Sequence, residues 1–167
     1  MDYQLIHNGY LPIQAPAPFI YESRKYLGNG WTVGKRPNGR YAYFNDDGLQ
    51  MIGRDFHHAV PFAEGLAAVM FSDTDEKGNL LDGAFSFING KGELAFGGVF
   101  ATDSYFSEGL ACVSLDDITY FYIDKNGQQA FPGEFFSGNP FFHGLAVVEF
   151  SPGDWGYINR TGKRIET

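Results

Sequence analysis

Apolar positions in this chain fall into three short runs that recur together. The first is Gly-Leu-Ala-x-Val, at 65–69, 109–113 and 144–148, with a degenerate copy in Gly30-Trp31-Thr32-Val33-Gly34. The second sets two aromatic residues one position apart and ends on Ile or Phe: Tyr41 to Phe44, Phe85 to Ile88, Tyr120 to Ile123 and Trp155 to Ile158. The third comprises Leu49 to Ile52, Glu93 to Phe96 and Gln128 to Phe131. These runs are short, aromatic and β-branched, and their alternation places the paired aromatics on one face of an extended chain, so each predicts a strand. Between the second and third runs stand Asp47-Gly48, Lys91-Gly92, Asn126-Gly127 and Thr161-Gly162, with Asn8-Gly9 nearer the start. Glycine there supplies the positive φ of a tight hairpin turn. Tyr3 to His7 and Tyr10 to Ile13 then read as the strands of a partial first unit.

Spacing turns these runs into a ruler. Gly109 to Gly144, Ile123 to Ile158 and Gly127 to Gly162 are each 35 residues. The return from turn glycine to the next Gly-Leu-Ala run is 17 in three places: Gly48 to Gly65, Gly92 to Gly109 and Gly127 to Gly144. From first-run glycine to the end of the second run is 14, except in the second unit, where it is 23. The extra 9 residues lie between Phe71 and Ala84. A surface loop absorbs such an insertion at small entropic cost. The returns carry phenylalanines in step: Phe100 and Phe135, like Phe106 and Phe141, are 35 apart, and Phe56 and Phe62 precede Phe100 and Phe106 by 44. Residues this regular build the repeat, and these phenylalanines are expected to lock unit to unit in the core.

The architecture expected is a single all-β domain over 1–167: a partial unit at 1–25, then units at about 26–61, 62–105, 106–140 and 141–167. Each is an antiparallel three-stranded unit of about 35 residues, stacked as a curved, solenoid-like sheet because one unit alone lacks a core. A small β-propeller-like array is the alternative.

The combined pattern resembles the WG, or KWG, repeat family. Phe-x-x-Gly-Leu-Ala-x-Val is followed by an aromatic run, a glycine turn and a short strand, and Trp155-Gly156-Tyr157-Ile158-Asn159 is the best copy of the motif that names the family. Elsewhere the Trp is Tyr41, Phe85 or Tyr120 and the Gly is Ala42, Ser86 or Phe121. The resemblance covers roughly residues 26–166. It implies a β-rich bacterial repeat protein used for interaction, with no catalytic residues to carry over.

Most sites suggested by short motifs dissolve into repeat slots. Gly28 to Lys35 fails the spacing of a phosphate loop, and Arg36 stands where Ser or Thr is needed. Asp73-Thr74-Asp75-Glu76-Lys77-Gly78 opens like a calcium loop but has Lys77 in the fifth position and Ala84 in the twelfth. His57-His58 would point to opposite faces of a strand, and His7 and His143 lack a partner at ligand spacing, so no metal site is expected. Glu64 and Glu108 occupy one slot of the unit, which Asn29 and His143 fill elsewhere; that recurrence suggests a turn role over acid–base catalysis. No nucleophile–base set stands out, the one cysteine, Cys112, reads as a small core residue, and no cofactor is expected. The column Tyr41, Phe85, Tyr120, Trp155 and its companion Tyr43, Phe87, Tyr122, Tyr157 read as core, with a sugar-binding ladder as the other possibility.

Charge is the signal that does not repeat. The net charge is −8, but residues 24–40 hold Arg24, Lys25, Lys35, Arg36 and Arg40, whereas 41–154 carry 17 acids against four bases. Such a surface repels nucleic acid. The acids collect in loops between first and second runs: Asp73, Asp75, Glu76 and Asp82, then Asp116 and Asp117, then Asp154. These seven form the expected partner-binding rim, suited to steering a basic protein partner. No run approaches the roughly 18 apolar residues that span a bilayer. The start, Met1 to His7, has neither a basic region nor a long apolar run, and a cytoplasmic location is expected. The functional expectation is a non-enzymatic protein-binding array, most concretely a bacterial immunity protein that neutralises a basic toxin enzyme such as a nuclease. The alternative is a carbohydrate or cell-surface binding module.

Overall fold

The computed structural model describes residues 3–6, 9–12, 30–71 and 84–166. Every regular element among them is a strand. β1 (Tyr3–Ile6) and β2 (Gly9–Pro12) pair antiparallel, with Ile6 opposite Gly9. β3 (Thr32–Lys35) pairs with β4 (Tyr41–Phe44). β5 (His58–Ala59), β6 (Ala67–Met70) and β7 (Ser86–Ile88) form one three-stranded sheet. β8 (Ala111–Ser114) pairs with β9 (Tyr120–Ile123). β10 (Ser137–Gly138), β11 (Leu145–Ser151), β12 (Asp154–Asn159) and β13 (Arg164–Ile165) form a four-stranded sheet in chain order. The fold is all-β, a succession of small antiparallel sheets, as the runs predict.

The third run of each unit folds back on the second through single antiparallel bridges, Phe44 to Gln50, Ile88 to Leu94 and Ile123 to Gln129, and in the last unit through β13. One residue fixes each of these turns. Asn45, Asn89, Asp124 and Asn159 follow the second run, and the side-chain oxygen of each accepts backbone N–H bonds from residues two and four further on. This is the Asx device, in which a short polar side chain stands in for backbone in a turn.

The sequence did not reveal how the return segments are used. Phe56 and Tyr41 exchange backbone hydrogen bonds of 2.8 Å, and so do Phe100 and Phe85, and Phe135 and Tyr120. One residue later the pairing switches to the next unit: His57 donates to the Met70 carbonyl, Ala101 to Ser114 and Phe136 to Glu149, each at 2.8 Å. Every connector is thus hydrogen-bonded backward to the hairpin it leaves and forward to the hairpin it enters. In β5 and β10 the forward pairing is long enough to form an edge strand, which completes the three-stranded sheet with β6 and β7 and the four-stranded sheet with β11, β12 and β13.

The core lies between units, not within them. Tyr43, Phe56 and Phe62 of one junction are closed by Ala67, Val69 and Ile88 of the following unit. Phe87, Phe100 and Phe106 meet Ala111, Val113 and Ile123 in the same way. Tyr122, Phe135 and Phe141 meet Ala146, Val148 and Ile158. All six connector phenylalanines are buried, in the locking role expected of them. Their rings pack edge-to-face, for example Phe106 on Phe87 with centroids 5.1 Å apart, a geometry favoured by the aromatic quadrupole. The third run adds a further contact, with Ile52, Phe96 and Phe131 lying beneath the turn glycines of the next unit, Gly92, Gly127 and Gly162.

Candidate functional site

The two recurrent glutamates are latches between units. Glu64 and Glu108 adopt φ values of 53° and 54° at the turn before the Gly-Leu-Ala run. The Glu64 carboxylate accepts the N–H of Gly109 at 3.0 Å, and Glu108 accepts that of Gly144 at 2.9 Å. The following unit answers with a cation: Lys125 Nζ donates to the Glu64 carbonyl at 3.0 Å, and Arg160 Nη2 donates to the Glu108 carbonyl at 2.6 Å. Each turn is held by its successor, which is a structural role, as the shared slot suggested. His143 takes the slot in the last unit, with φ 52° and its ring 4.2 Å from that of Phe142.

Of the seven acids expected to form a rim, Asp73, Asp75, Glu76 and Asp82 lie outside the described residues. Asp116 and Asp117 sit side by side on the exposed loop between β8 and β9, and Asp154 opens β12 in the next unit. Asp116 builds its loop. Its Oδ1 accepts the N–H groups of Thr119 at 2.8 Å and Ile118 at 2.9 Å, and the Ser114 hydroxyl at 3.2 Å. Those backbone bonds, Thr119 first, hold its carboxyl below the usual carboxylate range. Asp117, at φ 61°, accepts the Tyr120 hydroxyl at 2.8 Å, and this bond pushes the Tyr120 phenol up to about 12. Asp154 is held by both terminal nitrogens of Arg164, at 2.8 and 2.9 Å, and the guanidinium lowers its carboxyl. The Asp154 charge is therefore answered within its own sheet, while the Asp116–Asp117 pair has no cation among its described hydrogen-bond partners.

Two residues that sequence reasoning passed over stand beside that pair. Leu115 and Ile118 flank the aspartates and are 64% and 67% exposed. Leu115 shares its slot with Phe71 and Phe150, which pack edge-to-face on connector phenylalanines Phe56 and Phe135. The change from Phe to Leu at that slot was the available signal, and Ile118 has no counterpart in the other units. The loop is preorganised, since Ser114 Oγ accepts the Asp117 N–H at 2.8 Å and Asp116 fixes the two following amides. The result is a rigid tip with two apolar side chains around two carboxylates.

A second exposed surface lies on the unit that holds β11 to β13. Tyr43, Phe87 and Tyr122 are 0–1% exposed and Phe85 is 8%, in line with a core role, whereas Tyr41 and Tyr120 of the first column are half-buried. In the last unit the same slots hold Trp155 and Tyr157, which are 50% and 44% exposed, and Phe142 of the same unit is 73% exposed. No described unit follows to cover them.

Residues 120–150 match the family model described as a WG containing repeat. No curated protein matches the chain. Among solved structures, the computationally designed Ika4 protein is similar at 13% identity and a TM-score of 0.53, over 95% of this chain and 99% of that one. The computationally designed Ika8 protein is similar at 12% identity and a TM-score of 0.50, over 81% of this chain. BamB from Moraxella catarrhalis gives 10% identity and a TM-score of 0.46, also over 81%. The chain spans 45% of the length of each of the latter two. At these identities the likeness concerns the fold alone.

Proposed function

We propose that this chain, which matches a WG containing repeat over residues 120–150, is a non-enzymatic binding protein whose partner is a basic protein. The observation that carries this reading is the β8–β9 loop, where exposed Leu115 and Ile118 bracket Asp116 and Asp117 on a tip fixed by its own hydrogen bonds. Apolar anchors with like-signed charge around them suit a complementary patch of apolar residues ringed by Lys and Arg. A preordered loop loses little entropy on docking. The excess of 17 acids over four bases across 41–154 favours the same partner at long range. In its most specific form the protein is a bacterial immunity protein, working in the cytoplasm, that occupies a basic toxin domain such as a nuclease.

The test is inhibition of a purified basic nuclease toxin by the full chain, with association followed by biolayer interferometry. D117K is expected to slow association at low salt, and L115S/I118S to speed dissociation. Undiminished nuclease activity at equimolar protein, or rates indifferent to both variants, would refute the reading.

A second reading draws support from Trp155 and Tyr157, whose exposure on one face of β12 suits stacking on a sugar ring. Glycan-array binding lost in W155A/Y157A, with the toxin assay negative, would favour it.

A further inference from the structure

The third connector breaks the repeat. The connectors read Phe-His-His-Ala-Val-Pro-Phe at 56–62, Phe-Ala-Thr-Asp-Ser-Tyr-Phe at 100–106 and Phe-Phe-Ser-Gly-Asn-Pro-Phe at 135–141. Asp103 stands where its sisters have Ala59 and Gly138, and Tyr105 where they have proline. The first and last connectors contain β5 and β10, but 101–104 form no strand. A hydroxyl accounts for the difference. Tyr43 donates to the carbonyl of Val60 and Tyr122 to that of Asn139, each at 2.7 Å and each to the residue 17 further on. The second unit has Phe87 in that slot, so no hydroxyl ties down Ser104.

Beside the untied segment is a cavity of about 300 Å³, lined by Val60, Thr102 to Tyr105, Cys112, Tyr120, Gly138 and Pro140. It lies where three successive connectors converge. Among these lining residues there is no lysine or arginine, and the one carboxylate is Asp103. Thr102 Oγ1 is buried with no hydrogen-bond partner, and so is Nδ1 of His58, the residue in the same slot one connector earlier. Burial lowers the pKa of His58, against the opposing field of Asp103. Lys35, which also acts on His58, sits over the Tyr41 ring, 5.4 Å from its centroid. Buried polar atoms without partners are rare, and they mark a site whose occupant supplies the missing bond. Of the two, Thr102 lines the cavity, and its open valence can be filled by a donor there, next to a carboxylate and two phenol rings. An ammonium carries three donors and no acceptor, a guanidinium five, and both are attracted to aromatic faces.

We propose that this cavity binds an alkylammonium or guanidinium group, with Asp103 as counter-charge, Thr102 and Ser104 as acceptors, and Tyr105 and Tyr120 as aromatic walls. The assignment stands without the partner reading above. The cation can be a free amine or the side chain of a lysine or arginine on a protein.

The full chain, labelled with 15N, is titrated with n-butylammonium, with ethylguanidinium, with a blocked Gly-Lys-Gly peptide, and with n-butanol as the neutral isostere. Saturable amide shifts at 102–105 and 138 are expected with the cations and not with butanol. D103N should weaken binding by roughly tenfold, the loss of one charge-assisted contact. T102V, a second variant that leaves Asp103 in place, should weaken it to a smaller degree. Binding of the free amines assigns the site to small molecules, and binding of the peptide alone assigns it to a protein side chain; either supports the proposal. Absence of saturable shifts with every cation, equal shifts with butanol, or unchanged affinity in a folded D103N would overturn it.

Discussion

Replacing Gly127 by alanine tests the way one unit seats on the next. Gly127 has φ +78°, a conformation that costs an L-residue about 1–2 kcal/mol. An added Cβ would also lie 2.3 Å from Cδ2, 2.6 Å from Cγ and 2.9 Å from Cε2 of Phe96. Carbon atoms settle at about 3.5–4.0 Å, so the ring must retreat by more than about 1 Å. Phe96 cannot do so freely, because it packs on Phe87 with centroids 5.5 Å apart, at the edge of the second junction's core. Overpacking of this kind costs about 1–3 kcal/mol, bringing the total to about 2–5 kcal/mol. Gly153 supplies the control: φ is +84° and nothing lies within 4 Å of its would-be Cβ, so G153A carries the backbone cost alone. In urea melts, G127A should lose about 1–3 kcal/mol more than G153A; in thermal melts the gap is about 2–12 °C for a chain of this size. Removing the ring should remove the gap, so G127A in an F96A background should cost no more than G153A. Coincident melting of G127A and G153A, or a full extra penalty persisting without Phe96, would refute the packing argument.

The other expectations concern the latch and the titrating groups. E108A should destabilise the chain by about 1 kcal/mol in urea melts, by orphaning the Gly144 N–H, while E108Q, which keeps an acceptor, stays near wild type. Cys112 is buried beside Tyr122 and its thiol is pushed up to about 12, so it should resist a thiol reagent at pH 8 in the native state and react fully in denaturant. Because its folded-state pKa lies above the unfolded one, the thiol contributes nothing adverse below the ordinary thiol range, and alkali above that range favours the unfolded chain. The Arg164 guanidinium lowers the Asp154 carboxyl, so the pair's contribution is present above about pH 3.9 and fades as pH falls through the lower folded value. Carboxyl 13C titration should show Asp154 moving back up in R164Q; an unmoved titration would dissociate the pair.

What the sequence made legible was whatever repeats. Phe56, Phe100 and Phe135 announce a spine by spacing, and Glu64 and Glu108 announce a turn role by sharing a slot. The connector pairing was not legible, because backbone hydrogen bonds carry no side-chain signature and His57-His58-Ala59 shows no strand alternation. The exposure of Trp155 and Tyr157 was not legible either, because their slots match in type those of half-buried Tyr120 and buried Tyr122. Asp154 was counted as an open charge because Arg164 reaches it across the β12–β13 register, where Ile158 faces Arg164. One relation was there to be read. Lys125 and Arg160 occupy the position after the Asx residue, and the units before them carry Glu64 and Glu108; in the second unit that position is Gly90, and the unit before it offers Asn29.

The two-way bonding of the connectors bears on how such a chain is born and how it grows. A hairpin leaving the ribosome is not sealed by its own residues; it waits for the first phenylalanine of the segment behind it. Folding can therefore advance in register with synthesis, one unit behind the newest turn. The heritable module is likewise not a sheet but a span from any point in one unit to the same point in the next. A block of 35 residues excised or duplicated in that phase brings half a junction at each end, and the halves meet.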